Sequence, residues 1–311
     1  LAQQIPVSGS VIVTTPQDIA TLDARKGRPL RFVYTLEVWR HGEDGPEPRR
    51  AREAAPPVPP ARRDGLPQAV AALAFGTETL PKVAKIIGPG SSYVSAAKRL
   101  LYGIVDVGTP AGPSESIILC DEHVDPRLAA LDLLVEAEHG PDSAAILVTH
   151  SREVANEAAR LLPELIAKLP EWRRKFVETV LGDYGGIMLT DSLAESIQFV
   201  NDYAPEHLEI LTEDPFVTLQ KIKHAGEILL GPYTPIPISN YCLGLNAILP
   251  TGTFARSFSA VGVNDFLKRS GVGYLSREGY DALRETTATL ADYEGFPAHA
   301  LSIRQRDEWW R

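Results

Sequence analysis

The chain has little of what marks a secreted, membrane or nucleic-acid-binding protein. Only two of its 311 residues are cysteines, Cys120 and Cys242, too few for a disulfide framework or a Cys-x-x-Cys metal site. No apolar run approaches the roughly 20 residues of a membrane span, and no charged-then-apolar leader pattern opens the chain, so no membrane partner is expected. Positive charge is in the minority. Lys and Arg number 31 against 40 Asp and Glu, a formal charge of −9, which argues against a nucleic-acid partner. The local run Arg49-Arg50-Ala51-Arg52 does not reverse that balance. No internal repeat is visible, and no full Gly-x-Gly-x-x-Gly fingerprint. A reduced, cytoplasmic protein is the expectation.

What is present reads as α/β text. Residues 10–15, rich in β-branched side chains and followed by Pro16, suit a buried strand, and 32–39 alternates enough to be another. Between about 41 and 65 the composition turns to Pro, Arg and Ala, which cannot bury apolar surface, so an extended or disordered insertion is expected. From Leu66 the pattern becomes regular. Helices are expected over 69–75, 93–101, 125–137, 152–168, 171–181, 192–203 and 216–225. Strands are expected over 82–87, 104–107, 116–120, 144–149, 185–189 and 227–230. This alternation implies a mostly parallel sheet.

Several stretches carry chemistry. Glu136 and His139 stand three apart at the end of an apolar helical run, so both can face one centre. Gly140-Pro141 reads as the helix stop. The pair suits half of a metal site, or a solvated acid and a histidine set against the helix dipole. Gly88-Pro89-Gly90-Ser91-Ser92 joins a strand to a helix with serines at the cap, either a phosphate seat or a tight structural turn. Ser114 lies among two prolines and two glycines, as a contact residue or a domain crossover would. Glu206-His207 comes directly after Pro205 at the mouth of a strand, where catalytic groups of α/β folds often lie. An acid beside a base can carry protons to and from a substrate. Glu294 and His299 place one more such pair near the C-terminus.

These blocks resemble histidinol dehydrogenase when taken together and in order. The matching text is 68–77 (Gln-Ala-Val-Ala-Ala-Leu-Ala-Phe-Gly-Thr), 85–90 (Lys-Ile-Ile-Gly-Pro-Gly), 110–115 (Pro-Ala-Gly-Pro-Ser-Glu) and 137–143 (Ala-Glu-His-Gly-Pro-Asp-Ser). It continues through 203–208 (Tyr-Ala-Pro-Glu-His-Leu), 246–251 (Asn-Ala-Ile-Leu-Pro-Thr), 265–269 (Asp-Phe-Leu-Lys-Arg) and Ala298-His299. The likeness covers residues 66–305 and, more faintly, 7–18.

The resemblance implies a zinc-dependent, NAD-linked dehydrogenase that oxidises a small polar alcohol such as L-histidinol to the acid through the aldehyde. Glu206 and His207 match the family's proton carriers, with a neutral His207 as base near neutral pH and Glu206 activating the water. The implied zinc ligands are Glu136, His139, Asn240 and His299. Glu136 stands where the family has Gln and Asn240 where it has Asp, an exchange that leaves the charge on the metal unchanged and keeps an N/O donor set suited to zinc. Ser114, Tyr241 and Glu294 match substrate contacts, while Ala247 replaces a histidine that touches histidinol, which points towards another small polar alcohol. On the cofactor side Gln68 matches an NAD contact and Ser91 replaces an Asn.

The matching region begins partway into the family pattern. The fold expected is therefore α/β, with two Rossmann-like domains, the first incomplete, and a small C-terminal helical segment. Their bounds are 1–115, 116–262 and 263–311. In the family the last segment crosses to a partner subunit, so a homodimer is expected in which His299 and Glu294 complete the other chain's site. The alternatives are a catalytically inactive truncated homologue, or a dehydrogenase of a different small alcohol such as a sulfopropanediol.

Overall fold

The computed structural model describes residues 12–13, 33–34 and 65–310. The chain divides into two compact units, residues 1–266 and 267–311. β1 (Ile12–Val13) and β2 (Val33–Tyr34) form a short parallel pair. The rest of the two expected N-terminal strands, and the expected insertion through residue 64, lie outside the described residues.

α1 (Gly65–Phe75) and α2 (Ser92–Leu100) enclose a small core of Val70, Leu73, Val83, Ile86, Val94 and Val105. Segments 82–87 and 104–107 were expected as strands, and they meet only at the isolated bridge Lys85↔Asp106. There the Ile86 N–H donates to the Asp106 carbonyl and the Asp106 N–H to the Ala84 carbonyl, 2.7 and 3.0 Å. Their β-branched residues favour a strand, but a strand forms only where a neighbour supplies a ladder, and among the described residues none runs alongside. Ser91 occupies the N-cap position of α2, yet its side chain makes no capping bond.

The main sheet consists of β3 (Glu115–Cys120), β4 (Ala144–Thr149), β5 (Gly186–Leu189), β6 (His207–Leu211) and β7 (Glu227–Leu230). All its pairings are parallel, in the order β5-β4-β3-β6-β7. The chain starts in the middle, builds outward to one side and then returns to build the other, which is the doubly wound Rossmann-like order. Period-two alternation sends Ile118 and Cys120 to one face and Ile117 and Leu119 to the other. α3 (Pro126–Ala137), α4 (Arg152–Ala167) and α5 (Glu171–Asp183) cover the first face through Leu133, Ala158 and Val177. α6 (Leu193–Tyr203) covers the second through Ile197 and Val200. Because both faces are covered, the central strands are apolar almost without interruption. The helix expected over 216–225 is the single short α7 (Pro215–Leu219).

Local chemistry sets where the helices begin and end. The Asp125 side chain accepts the Arg127 N–H and Pro126 opens α3. α3 then closes by a tightened last turn, with the Glu138 N–H on the Leu134 carbonyl and the His139 N–H on the Glu136 carbonyl. The Arg173 guanidinium donates to the Glu138 carbonyl. Gly140 is absent from the positive-φ glycines, so it is not the left-handed cap that its place after the helix suggested. α6 ends on Ala204, a buried non-glycine residue held at φ 55°, and Pro205 then straightens the chain into β6.

The C-terminal unit is a helical pair, α8 (Arg277–Tyr293) and α9 (Pro297–Trp309), turning at Gly295 with φ 77°. The Tyr280 hydroxyl donates to the Ile303 carbonyl across the pair. No described helix is long and apolar enough to cross a membrane.

Candidate functional site

Glu115, His207 and Glu227 are the first residues of β3, β6 and β7, and Glu206 directly precedes β6. α3 runs antiparallel to the strands, so its last turn returns Glu136 to the same edge. The cluster therefore sits at the amino ends of the parallel strands. Open α/β sheets ordinarily bind ligands beyond the carboxyl ends, so the strand mouth anticipated for Glu206-His207 is the opposite one.

His207 is the centre. Its Nε2 lies 3.8 Å from Glu206 Oε2 and 3.9 Å from Glu136 Oε1, and its Nδ1 lies 2.6 Å from Glu227 Oε1. The side chains of all four are no more than 6 % exposed. Glu136 Oε2 reaches His139 Nε2 at 3.5 Å, and His139 Nδ1 stands 3.4 Å from Ser114 Oγ. The i,i+3 spacing has thus brought Glu136 and His139 together, and the loop holding Ser114 closes beside them. That loop also ties strands, since the Ala144 N–H donates to the Ser114 carbonyl at 2.9 Å.

Asn240 lies in a π-helical turn, Ser239–Leu243, entered through the helical turn Ile236–Ile238. Ile236 is buried in the same cluster as Leu133, Leu134 and Ala137, so this segment packs on α3. π-turns inside helical segments recur at functional sites. Glu136 Oε1 and Oε2 and Asn240 Oδ1 are buried without hydrogen-bond partners. Buried oxygens left so are costly, and a cation bound by oxygens and imidazoles resolves the cost. The donor set fits zinc.

Electrostatics concentrates protons here. Burial drives the Glu206 carboxyl up to about 8 against the pull of the His207 charge. Burial alone depresses an imidazolium, but the carboxylates of Glu227, Glu206 and Glu136 outweigh it and hold His207 at about 9. The carboxylates thus favour the protonated ring, and His207 acts as a base only after Nε2 has given up its proton. Deeper in the sheet, burial and the Asp132 carboxyl raise Glu209 to about 9.

Beside the cluster opens a cavity of about 490 Å³ lined by Ser92, Ser95, Arg99, Glu115, Asp142 and Tyr203. The Ser92 hydroxyl and the Asp142 carboxylate stand 3.5 Å apart at the start of α2. Asp142 thus brings an acid to the anticipated phosphate seat.

Of the other anticipated residues in the first unit, none is buried with this cluster. Tyr241 is 86 % exposed, and Gln68 on α1 and Ser91 are exposed. Glu294 caps α8 and His299 lies in the first turn of α9, its ring against Phe296 at 5.1 Å; both are exposed in the C-terminal unit. Glu227 was missed in the sequence. Its signal was there: an acid opening the otherwise apolar strand Glu-Ile-Leu-Leu. At the opposite, carboxyl edge, Asp121, Glu122 and His123 bring ligand atoms within 4.8 Å of one another, with Glu122 and His123 exposed to solvent.

Fold and cluster together define a Rossmann-like α/β protein with a buried glutamate–histidine site. Comparison with known proteins narrows this. The pattern of the family described as histidinol dehydrogenase matches residues 63–307. The histidinol dehydrogenase of Synechocystis is 64 % identical over 240 residues, 77 % of this chain and 55 % of that protein. A histidinol dehydrogenase homolog of Cereibacter sphaeroides is 58 % identical over 77 % of this chain and 54 % of its own length. The crystal structure of histidinol dehydrogenase from Elizabethkingia anophelis superposes with a TM-score of 0.72 at 34 % identity, covering 78 % of this chain and 56 % of that one. The chain belongs to the histidinol dehydrogenase family. It spans about half the length of the curated relatives it matches.

Proposed function

We propose that this chain carries the proton-transfer and metal-binding half of a zinc-dependent, NAD-linked dehydrogenase acting on a small polar alcohol such as L-histidinol. The observation that carries the reading is the buried group Glu136, Glu206 and His207, with the unsatisfied oxygens of Glu136, beside the exposed His139. Glu136, His139 and Asn240 would hold zinc, with His299 and Glu294 supplied by a partner copy in a homodimer. A divalent cation supplies Lewis-acid polarisation of a substrate oxygen. NAD would supply the hydride acceptor, and the cavity beside Glu115 is of a size to admit part of it.

The residues of the chain do the rest. His207 Nε2 faces the cluster, so its loss of a proton makes it the acceptor for the alcohol proton as hydride departs. Glu206, once it has given up the proton that burial keeps on it until about pH 8, would take a proton from the water that adds to the aldehyde. Each oxidation would then give one proton to this pair and one hydride to the nicotinamide acceptor. Such an enzyme would be cytoplasmic and bind neither nucleic acid nor membrane.

The test is NADH formation on a panel of small alcohols including L-histidinol and a sulfopropanediol, with zinc-loaded protein and with His207→Gln. Turnover that is lost in the variant supports the reading. A zinc-loaded chain that reduces no NAD on any alcohol sinks it and favours an inactive homologue.

A further inference from the structure

Glu227 lies directly across the β6–β7 ladder from His207 and on the same face. Its Oε1 stands 2.6 Å from His207 Nδ1, and its Oε2 accepts the Ser239 hydroxyl at 2.7 Å. His207, Glu227 and Ser239 are all nearly or fully buried, so water does not compete for these bonds. A further bond fixes the glutamate's backbone, since the Glu227 N–H donates to the Glu206 carbonyl at 2.9 Å.

The direction of each bond comes from the chemistry of the groups. An ionised carboxylate only accepts, and here each oxygen has one donor facing it. The Nδ1 atom must therefore carry hydrogen, which leaves Nε2 as the nitrogen that gives up or takes a proton. Nε2 is also the atom that faces Glu206 and Glu136. Rotating the ring by half a turn would lose the 2.6 Å bond, so the carboxylate fixes both the tautomer and the aim of the ring. Ser239 is the residue before Asn240 and opens the π-turn. The same bond that steadies Glu227 ties His207 to the turn holding the unsatisfied amide oxygen.

We propose that Glu227, steadied by Ser239, is a positioning residue that keeps a hydrogen on His207 Nδ1, so that Nε2, turned to the reacting atoms, is the nitrogen that loses and takes the proton. This rests on the reading of His207 as a proton carrier. It adds a carboxylate–histidine relay that runs across two strands and reaches the loop of Asn240.

The test is ring nitrogen–proton spectroscopy of the full chain labelled with ¹⁵N-histidine, His207 being assigned by the signal missing in His207→Gln. A slowly exchanging, low-field Nδ1–H signal is expected in the wild type, lost in Glu227→Met, which has the same length and no acceptor, and weakened in Ser239→Ala. No Nδ1–H signal from His207 in the wild type, or one unchanged in Glu227→Met, overturns the proposal. The wild-type spectrum decides the matter even if Glu227→Met fails to fold. On active enzyme Glu227→Met is expected to lower kcat about 10–100-fold with KM little changed, as for loss of an orienting partner. A wild-type chain with the expected ring signal that turns over no alcohol leaves the positioning pair standing and removes the dehydrogenase reading instead.

Discussion

The backbone N–H of Glu115 donates to Glu206 Oε2 at 2.9 Å, joining the first residue of β3 to the acid that precedes β6. This bond holds the carboxyl against the edge of the sheet, away from water, and burial then sets its proton affinity. Stability therefore depends on pH. Glu206 moves from an ordinary 4.5 to about 8, Glu209 from 4.5 to about 9, and His207 from 6.5 to about 9. Between those limits the folded chain keeps protons that the unfolded chain has released, so stability falls as pH rises. The His207 contribution is fully present below 6.5 and is lost as pH passes about 9. Tm of chelator-treated protein, measured by circular dichroism, is expected to be highest near pH 5 and to decline towards pH 9. A flat or rising profile would contradict this.

Glu209 supplies part of that slope without belonging to the edge cluster. Glu209→Gln keeps the shape of the protonated acid, and its Tm at pH 9 is expected to exceed the wild type by at least about 2 °C. At pH 5 the two proteins should melt together.

Metal binding separates the two ends of the sheet. Near one zinc per chain is expected in protein purified without chelator, lost in His139→Ala and kept in His123→Ala, by elemental analysis. Loss in His123→Ala alone would move the metal to the carboxyl edge. Binding at pH 8 is expected to release protons, because a cation beside Glu136 opposes the charge on His207. Calorimetry in two buffers of different ionisation enthalpy measures it.

Gly226 is in contact with the backbone that aims the pair. A Cβ built there would come within 2.6 Å of the Glu206 carbonyl oxygen, and the Gly226 N–H donates to the Pro205 carbonyl. Gly226→Ala is expected to cost about 1–3 kcal/mol in urea unfolding and to shift the His207 ring signals. Its φ is not positive, so the effect is steric.

Asp125→Ala tests the far end of α3. Loss of the cap on the Arg127 N–H is expected to cost about 1 kcal/mol while zinc content stays unchanged. A variant that also loses zinc would show that α3 moves as one piece.

Local spacing made much of this readable. Glu136 and His139 share a helix face by arithmetic, and Glu206-His207 is adjacent in the chain, so both pairs stand out before any fold is known. The strands 144–149 and 227–230 are bounded by clear turn residues and form as expected. What escaped depends on partners distant in sequence. The 2.6 Å contact of Glu227 with His207 exists only because β6 and β7 pair in one register, 20 residues apart. Segments 82–87 and 104–107 carry strand text and meet at a single bridge, because a ladder is a property of the neighbour as much as of the run. The carboxylates of Glu227 and Glu136, which raise the proton affinity of His207, come from other elements of the fold, so their effect has no signature in a dipeptide.

Placing the cluster at the amino ends has a practical consequence. The turns at the other end of the strands stand a full strand length away from it, so they offer attachment points for a reporter. Glu213 comes after β6 at that end with its side chain 74 % exposed. With the exposed Cys242 replaced and Cys120 buried beyond the reach of reagents, Glu213→Cys becomes a single handle for a fluorophore or a surface tether. A sensor chip or a single-molecule assay could hold the protein by this corner and leave its chemistry facing the solution.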